Sequence, residues 1–177
     1  MKSIFIKYGT IYGLFSIVVA LSFYFNLAGM GINSVVNLGG LFVVLYFASK
    51  AIKRQQGGTA TFGQLIKAYV PILAIGIVIS ILFSVILVIV ISEDQKTKMV
   101  DSVVSSQTSM YQAMGMDEAQ VARMEEDLSV KMRDQLFNPG MMALSSLYTF
   151  LMMLVLSLIP AAIFKKNPTT ITAEKSE

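Results

Sequence analysis

The chain has 177 residues, of which 55% are hydrophobic and 14% are charged, and its mean hydropathy is +0.67. Such a composition is too apolar for an ordinary soluble domain and indicates an integral membrane protein. Cysteine and histidine are absent, which excludes disulfides, thiolate nucleophiles, imidazole acid–base steps and the usual zinc or haem ligands. We therefore predict no catalytic residue, no cofactor and no metal site. A net charge of only +3 gives no reason to expect a nucleic-acid partner.

Uncharged stretches locate the predicted spans in chain order. They cover residues 8–49, 68–92 and 135–164, and each exceeds the roughly 20 residues that cross the hydrocarbon core. The first is long enough to cross twice, and the Gly and Asn residues within 26–34 favour a turn at its middle. We predict an all-α four-helix bundle in one membrane domain over residues 1–177, with transmembrane helices at about residues 8–27, 34–50, 69–91 and 139–164.

Basic residues predict the orientation of these spans, since cytoplasmic flanks retain lysine and arginine during insertion. One side of the predicted bundle has only Glu174 and Glu177 as acids, beside nine basic residues: Lys2, Lys7, Lys50, Lys53, Arg54, Lys67, Lys165, Lys166 and Lys175. Residues 92–138, on the other side, include nine acidic and five basic residues. We expect both termini in the cytoplasm. The N-terminal run is long for a secretory signal and a second span follows closely, which favours a retained first helix.

The entry to the third predicted span has a helix-start signal. Thr61 and Gln64 have the spacing of a capping box, and an apolar stripe follows at helical spacing: Phe62, Leu65, Ile66 and Tyr69. Two alternatives fit this pattern: a short helix on the membrane surface that bends into the span at Pro71, or one straight helix. In both, Lys67 anchors the helix in the phosphate layer. In a third interpretation Lys67 is a ligand for an anionic substrate.

Two amphipathic helices are predicted within residues 92–138, separated at a glycine. Their apolar residues keep a helical period: Met99, Val100, Val103, Val104, Met110, Tyr111 and Met114, then Val121, Met124, Leu128, Met132 and Leu136. Asp117 with Gln120 is predicted to cap the second helix, and Asn138 with Pro139 to start the last span. We expect the two helices to form an antiparallel extracytoplasmic hairpin or to lie on the membrane.

The acidic run at Glu125, Glu126 and Asp127 is not a predicted metal site. Consecutive residues of a helix point about 100° apart and do not converge on one ion. Arg123, Asp127 and Lys131 have i, i+4 spacing, which predicts a solvated helix face with a ladder of ion pairs. The methionines of this segment either fill a core or form a compliant surface for a partner.

The interior of the predicted spans carries no charged residue, which argues against a proton-coupled transporter or an intramembrane protease. Asn37 is expected to cap a bend or to bond to a neighbouring helix, with a ligand role as the less favoured alternative. Small residues at intervals of four predict close helix contacts, within the bundle or in a homodimer: Gly9, Gly13, Gly76, Ser80 and Ser84. Tyrosines are expected in aromatic belts near the span ends: Tyr8, Tyr12, Tyr46, Tyr69 and Tyr148.

Short motifs along the chain carry a resemblance to a known family. They are Thr61, Phe62, Gly63 and Gln64 with Lys67, then Gly115 and Met116 with Asp117 and Glu118, then Asn138 with Pro139, and "IPAAIFKK" at residues 159–166. Together with the layout of four spans and a helical insertion before the last, they resemble a bacterial membrane family, domain of unknown function 4199. The family has no established activity. The resemblance therefore implies the topology and a bacterial inner membrane, and it assigns no ligand.

Three functional hypotheses follow. The first is a non-enzymatic membrane protein whose helical hairpin, residues 92–138, engages a protein partner or a lipid surface. The alternative is a small transporter or channel, acting as a homo-oligomer, with a pore lined by four polar residues: Asn37, Ser80, Ser84 and Thr149. The third is a membrane enzyme that uses the carboxylates of Glu125, Glu126 and Asp127, and the absence of histidine places it last.

Overall fold

The computed structural model describes residues 1–25 and 30–166. These residues form six α-helices: α1 (Lys2–Tyr24), α2 (Met30–Gln55), α3 (Phe62–Val90), α4 (Glu93–Ala113), α5 (Glu118–Phe137) and α6 (Pro139–Phe164). The described part of the chain has no β-strand beyond an isolated antiparallel bridge between Ala60 and Lys166. The predicted all-α class is confirmed.

Four of the helices, α1, α2, α3 and α6, are long and apolar enough to cross a membrane. This number agrees with the prediction, but several bounds differ. Helices α1 and α2 begin at Lys2 and Met30, earlier than the predicted span starts at 8 and 34, and α2 continues to Gln55. Helix α3 begins at Phe62, at the predicted helix start and ahead of the predicted span start at 69. The predicted bounds at 8 and 50 stopped at Lys7 and Lys50, whereas a helix continues past them because lysine side chains reach water from within it. The predicted turn is wrong for residues 30–34, which are helical; residues 26–29 lie outside the described part.

Helices α1 and α3 approach each other closely at three glycines. A Cβ atom added at Gly9 would lie 2.7 Å from Cβ of Ile75, and one at Gly13 would lie 2.8 Å from Cβ of Ile79. At Gly76 an added Cβ would lie 2.4 Å from Cδ1 of Tyr12. The predicted small-residue contacts are therefore made within the bundle at these positions.

Buried residues concentrate in one half of the bundle. We call residues 2–13, 41–55, 62–76 and 154–164 the dense half, and residues 14–25, 30–40, 77–90 and 139–153 the hollow half. Fully buried side chains of the dense half include Leu41, Leu45, Ile52, Leu65, Tyr69, Leu73 and Ala161. Among the described side chains of the hollow half, only Val19 and Asn33 are buried. The chain therefore packs closely at the end with the basic residues and loosely at the other.

Two tyrosines expected in an aromatic belt lie in the interior instead. Tyr12 is 1% exposed and Tyr69 is fully buried. Each hydroxyl has a partner on another helix, because the Tyr69 and Ser49 oxygens are 2.6 Å apart and Tyr12 donates to Asn37 over 3.3 Å. The belt prediction is therefore wrong for both, since an interior hydrogen bond satisfies the phenol as well as an interfacial one.

Helix α3 begins as predicted and continues unbroken through Pro71. The backbone N–H of Gln64 donates to Oγ1 of Thr61 over 3.4 Å, and the N–H of Thr61 donates to Oε1 of Gln64 over 2.8 Å. Leu65 belongs to the buried core of the dense half. Helix α3 is thus one continuous helix, and Leu65 and Tyr69 of the apolar stripe pack inside the bundle while Phe62 is 39% exposed. This burial contradicts the alternative of a short helix that lies on the membrane surface.

The ends of α4, α5 and α6 show which capping predictions hold. Asn138 accepts a hydrogen bond from the N–H of Gly140 over 2.9 Å and caps α6, as predicted. Asp117 occupies the N-cap position of α5 without a side-chain capping bond, so the predicted box with Gln120 is wrong. The N–H of Gln120 donates to the backbone oxygen of Asp117 instead, over 3.0 Å.

Helices α4 and α5 pack against each other through part of the predicted stripes. Val100, Val103, Val104 and Val121 are buried. Met110 and Met114, predicted to join the stripe of α4, are 55% and 70% exposed, because α5 begins only after the turn and leaves the last turn of α4 uncovered.

Candidate functional site

A cavity of about 200 Å³ lies between the four long helices in the hollow half. Its walls contain the four polar residues predicted to line a pore: Asn37 from α2, Ser80 and Ser84 from α3, and Thr149 from α6. Tyr12 and Ser16 from α1 and Ser146 from α6 complete the polar lining. The structure therefore brings the four predicted pore residues together, and three further polar residues join them.

Tyr12 separates this cavity from the dense half. Its ring fills the space that the missing side chain of Gly76 leaves on α3. Its hydroxyl donates to Oδ1 of Asn37 over 3.3 Å and lies 3.0 Å from Sδ of Met153. One side chain thus joins α1, α2 and α6 at the floor of the cavity, and the expectation that Asn37 bonds to a neighbouring helix is confirmed.

Three of the wall hydroxyls donate their hydrogen bonds within their own helices. Ser80 donates to the backbone oxygen of Gly76 over 3.0 Å, and Ser146 donates to that of Met142 over 2.7 Å. Thr149 donates to the backbone oxygen of Ser145 over 2.9 Å. A hydroxyl has one donor and two acceptor lone pairs, so these three side chains present oxygen lone pairs to the cavity.

Two larger cavities adjoin the first toward α4 and α5. One, of about 250 Å³, shares Ser84 and Ser146 with it and has mostly apolar walls from α3, α5 and α6. The other, of about 430 Å³, shares Ser16 and Asn37 and is bounded by Gln107 of α4 and by α5. We call the three cavities the chamber. Ala20 lines all three, and the α4–α5 pair covers the end of the chamber farthest from the dense half.

The chamber walls carry no Asp, Glu, Lys or Arg side chain among the described residues. Glu125 and Glu126 line a separate groove between α4 and α5 together with Asp101, and Asp127 is not part of it. The described residues contain no group of three or more acidic side chains placed to hold a metal ion. The acidic run and the chamber are therefore separate features.

Ion pairs of the α4–α5 pair centre on Glu93. Its carboxylate contacts Lys96 at 2.7 Å and also Arg133 of α5. The hydrogen bond from Lys96, with a smaller contribution from Arg133, holds the pKa of Glu93 below its ordinary value. Near the same helix start, the Asp94 carboxylate raises the pKa of Lys98.

Two features of α4 and α5 differ from the sequence prediction. Ser92 and Gln95 form a capping box that the analysis of the sequence missed, although the spacing matches that of Thr61 and Gln64. Arg123, Asp127 and Lys131 are exposed as predicted. Arg123, Asp127 and Lys131 take part in none of the ion pairs between described residues. All of those pairs include Glu93 or Asp94 at the start of α4.

The α4–α5 pair has a polar contact with the bundle at the end of α1. The Tyr24 hydroxyl at the end of α1 donates to Oε1 of Gln95 over 2.7 Å. That oxygen also receives the capping hydrogen bond from the N–H of Ser92, over 3.4 Å. The same amide oxygen thus caps α4 and holds it against α1.

Comparison with known proteins identifies the family of this chain. The sequence model of a family described as protein of unknown function (DUF4199) matches residues 7–166. The chain belongs to this family. No curated protein and no solved structure matches it. The DUF4199 match contains every residue named above as lining the chamber, as well as the α4–α5 pair.

Sequence reasoning missed part of the DUF4199 chamber. Ser16, Ser145 and Ser146 lie in apolar helices and had no distinguishing spacing of their own, and Gln107 and Gln135 were not among the predicted site residues. Lys67 is exposed and is not among the lining residues. A serine facing a cavity is distinguishable from one facing lipid only when the neighbouring helices are placed.

Proposed function

We propose that this chain is a non-enzymatic integral membrane protein that binds a small uncharged molecule in the chamber, as a carrier or a receptor. The observation that carries the proposal is the convergence of Asn37, Ser80 and Thr149, from three helices, on one cavity. Polar side chains inside a membrane bundle face its interior or a water-filled space and often mark a ligand path. The groups that line the chamber are hydroxyls, amides and thioethers, none of which titrates near neutral pH, which favours binding over acid–base chemistry.

A chamber with one closed end favours a carrier or receptor over an open channel. Tyr12 fills the floor, and below it Leu41, Leu45 and Tyr69 are fully buried. A conducting pore would need a continuous path through this half, and selective conduction needs a lined filter. Movement of a ligand to the other side would therefore require a second conformation in which the dense half separates.

The proposed topology places both termini in the cytoplasm and the α4–α5 pair, as an extracytoplasmic hairpin over residues 92–138, on the opposite side of a bacterial inner membrane. The support is the charge distribution: the described basic residues outside α4 and α5 all lie at the dense end, on residues 2–7, 50–54, 67 and 165–166, as the positive-inside rule requires. Because the chain has no cysteine, Gln112→Cys and Gln55→Cys each provide a single thiol. An impermeant thiol reagent should label Gln112→Cys in intact cells and leave Gln55→Cys unlabelled; the reverse would invert the topology.

Cysteine accessibility also tests the chamber. Ser84→Cys faces the chamber, while Leu82→Cys, on the same helix, is 60% exposed on the outside of the bundle. A small water-soluble methanethiosulfonate should modify Ser84→Cys in proteoliposomes and should not modify Leu82→Cys, since the reagent reacts with a thiolate that forms only in water. Equal, slow modification of the two would show that the chamber is sealed and would overturn the proposal.

A second function is favoured by the exposed methionines at the far end of the α4–α5 pair. Met110, Met114 and Met116 are 55%, 70% and 37% exposed, and methionine-rich surfaces adapt to apolar partners. We propose that this end contacts a protein partner or a second copy of the chain. Crosslinking from a photoreactive residue at Met114 should fall when Met110 is changed to Ser and stay unchanged in Val130→Ser, an exposed apolar position elsewhere on α5. Equal crosslinking in the parent protein, the Met110→Ser variant and the Val130→Ser variant would overturn this second proposal.

A further inference from the structure

We infer that the chamber takes an uncharged amphiphile with a hydrogen-bond donor at one end, of the chemical class of a medium- or long-chain alcohol. The polar end lies near Tyr12 and Asn37, and the apolar part extends between α3 and α6 toward α5. This inference names the ligand class of the proposed function and rests on it. Three observations carry the inference: the absence of charge in the walls, the direction of three hydroxyl hydrogen bonds, and the smaller share of polar side chains in the cavity toward α5.

The walls exclude a charged ligand. None of the described residues lining the chamber is ionic, and an unpaired ion in such surroundings loses its hydration without compensation. The nearest ion pairs, around Glu93 and Asp94, lie among the exposed side chains at the start of α4. An ammonium or carboxylate headgroup would therefore find no counter-ion next to Asn37.

The direction of the hydroxyl bonds selects a ligand that donates. Ser80, Ser146 and Thr149 each donate their only hydroxyl proton to a carbonyl of their own helix. Their remaining capacity is to accept. A ligand hydroxyl satisfies one of these oxygens and still accepts a bond from the Asn37 amide, whereas an ether of the same size leaves the wall oxygens without a donor.

The lining changes character along the chamber. Near Tyr12, seven of the eleven lining residues have polar side chains. Beyond Ser84 and Ser146 the walls become more apolar, with Phe23, Leu87, Val88 and Phe137 among the lining residues. The two cavities have volumes of about 200 and 250 Å³, and burying an alkyl chain in the second removes its apolar surface from water. An alcohol with a chain of moderate length matches both parts in one orientation.

The test uses Ala20→Cys, which places a thiol in all three cavities and keeps every polar wall group. The full chain is reconstituted in phosphatidylcholine vesicles, and the rate of modification by 2-hydroxyethyl methanethiosulfonate is measured with and without octan-1-ol, 1-methoxyheptane or octylammonium. We expect octan-1-ol to protect the thiol at a concentration about fivefold lower than 1-methoxyheptane requires, the ratio of dissociation constants that one buried hydrogen bond of about 1 kcal/mol gives. At equal membrane concentration the ether should slow the modification less than the alcohol does, and the cation should have little effect. Gln112→Cys, exposed on α4 and absent from the chamber lining, reports any general effect of the alcohol on the reaction.

The outcomes separate the ligand class from the chamber itself. Modification of Ala20→Cys that the ether or the cation slows as much as the alcohol overturns the ligand class and leaves the proposed function standing. No modification of Ala20→Cys, in protein whose Gln112→Cys variant reacts, overturns both. If Ala20→Cys does not elute as folded protein, Ser84→Cys takes its place. Ser146→Ala in the reporter protein should reduce protection by the alcohol while the rate without alcohol stays the same.

Discussion

The two halves of the bundle use the same four helices in different ways. In the dense half, glycines bring α1 against α3 and large apolar side chains such as Leu45 and Leu73 are fully buried. In the hollow half, small polar side chains at the corresponding interfaces, such as Ser16 and Ser84, leave space between the helices. Packing without voids gives stability, whereas a ligand needs a preformed space. The dense half therefore stabilises the fold, and the hollow half is available for binding.

The largest effect is expected from breaking the dense half at a glycine. In Gly9→Val, the new side chain would meet Cβ of Ile75 and the backbone oxygen of Ile72, at 2.7 and 2.9 Å from its Cβ. Backbone atoms cannot move aside easily, so we expect a loss of about 3 kcal/mol, the upper part of the range for overpacking. Thermal unfolding in mild detergent measures it. Gly39→Val, with nothing within 4 Å of the added Cβ, is the matched control, and equal destabilisation by the two would contradict the contrast.

A substitution that adds side-chain volume should lower stability in the dense half and leave it unchanged or raise it in the hollow half. Ser157 is 1% exposed, so Ser157→Leu should overpack the dense half and destabilise it by about 1–3 kcal/mol. Ser84→Leu has room in the chamber and should leave stability unchanged or raise it by about 0.5–1 kcal/mol. The same unfolding assay compares them. Destabilisation by Ser84→Leu equal to that by Ser157→Leu would mean that the chamber walls do not tolerate added volume.

Removing one phenol hydroxyl from each half should give a smaller difference. Tyr69→Phe leaves Ser49 without its 2.6 Å partner in the dense half, and we expect a loss of about 1 kcal/mol. Tyr12→Phe removes the 3.3 Å bond to Asn37, and about 0.6 kcal/mol is expected, the mean for interhelical bonds in membranes. Unfolding curves of the two variants, recorded side by side, test the order. A larger loss of stability in Tyr12→Phe than in Tyr69→Phe would contradict this order and show that the floor of the chamber contributes more to stability than the dense half does at Tyr69.

The smallest effect is expected at the α4–α5 pair, and it depends on pH. The pKa of folded Glu93 lies below its ordinary value of 4.5, so its contribution is present above that value and is lost as the pH falls through the folded pKa. Amide hydrogen exchange in residues 93–100, corrected for intrinsic rates, should therefore rise on acidification below about pH 4.5. Glu93→Gln should reduce this pH dependence and leave the part that arises from the Asp94–Lys98 pair. Glu126→Gln, an exposed acid outside the ion pairs of the described residues, should retain the full pH dependence.

Sequence reasoning predicted the helices better than their packing. The number of spans and the caps at Thr61 and Asn138 followed from local signals, because charge runs and capping spacings act within a few residues. The burial of Tyr12 and Tyr69 did not follow, since the partners Asn37 and Ser49 stand 25 and 20 residues away along the chain. The sequence alone does not distinguish an interior tyrosine from an interfacial one, because the difference depends on how the helices pack.

The candidate site was predictable only in part for the same reason. Asn37, Ser80, Ser84 and Thr149 stood out because polar residues are rare inside apolar spans, and the structure brings all four to one cavity. The contribution of α4 and α5 could not be foreseen, because the position of Gln107 and Gln135 over the chamber depends on how α4 and α5 lie against the bundle. Periodicity describes one helix at a time and carries no information on that placement.

The bridge between Ala60 and Lys166 has a mechanical consequence. Two reciprocal backbone hydrogen bonds, of 3.0 and 2.8 Å, join the α2–α3 connection to the chain that follows α6. Helices α2, α3 and α6 are thereby tied together at the basic end, in addition to the side-chain packing there. Any spreading of the helices must then pivot about that end and grow with distance from it, so that the widest excursion falls at the mouth beneath α4 and α5.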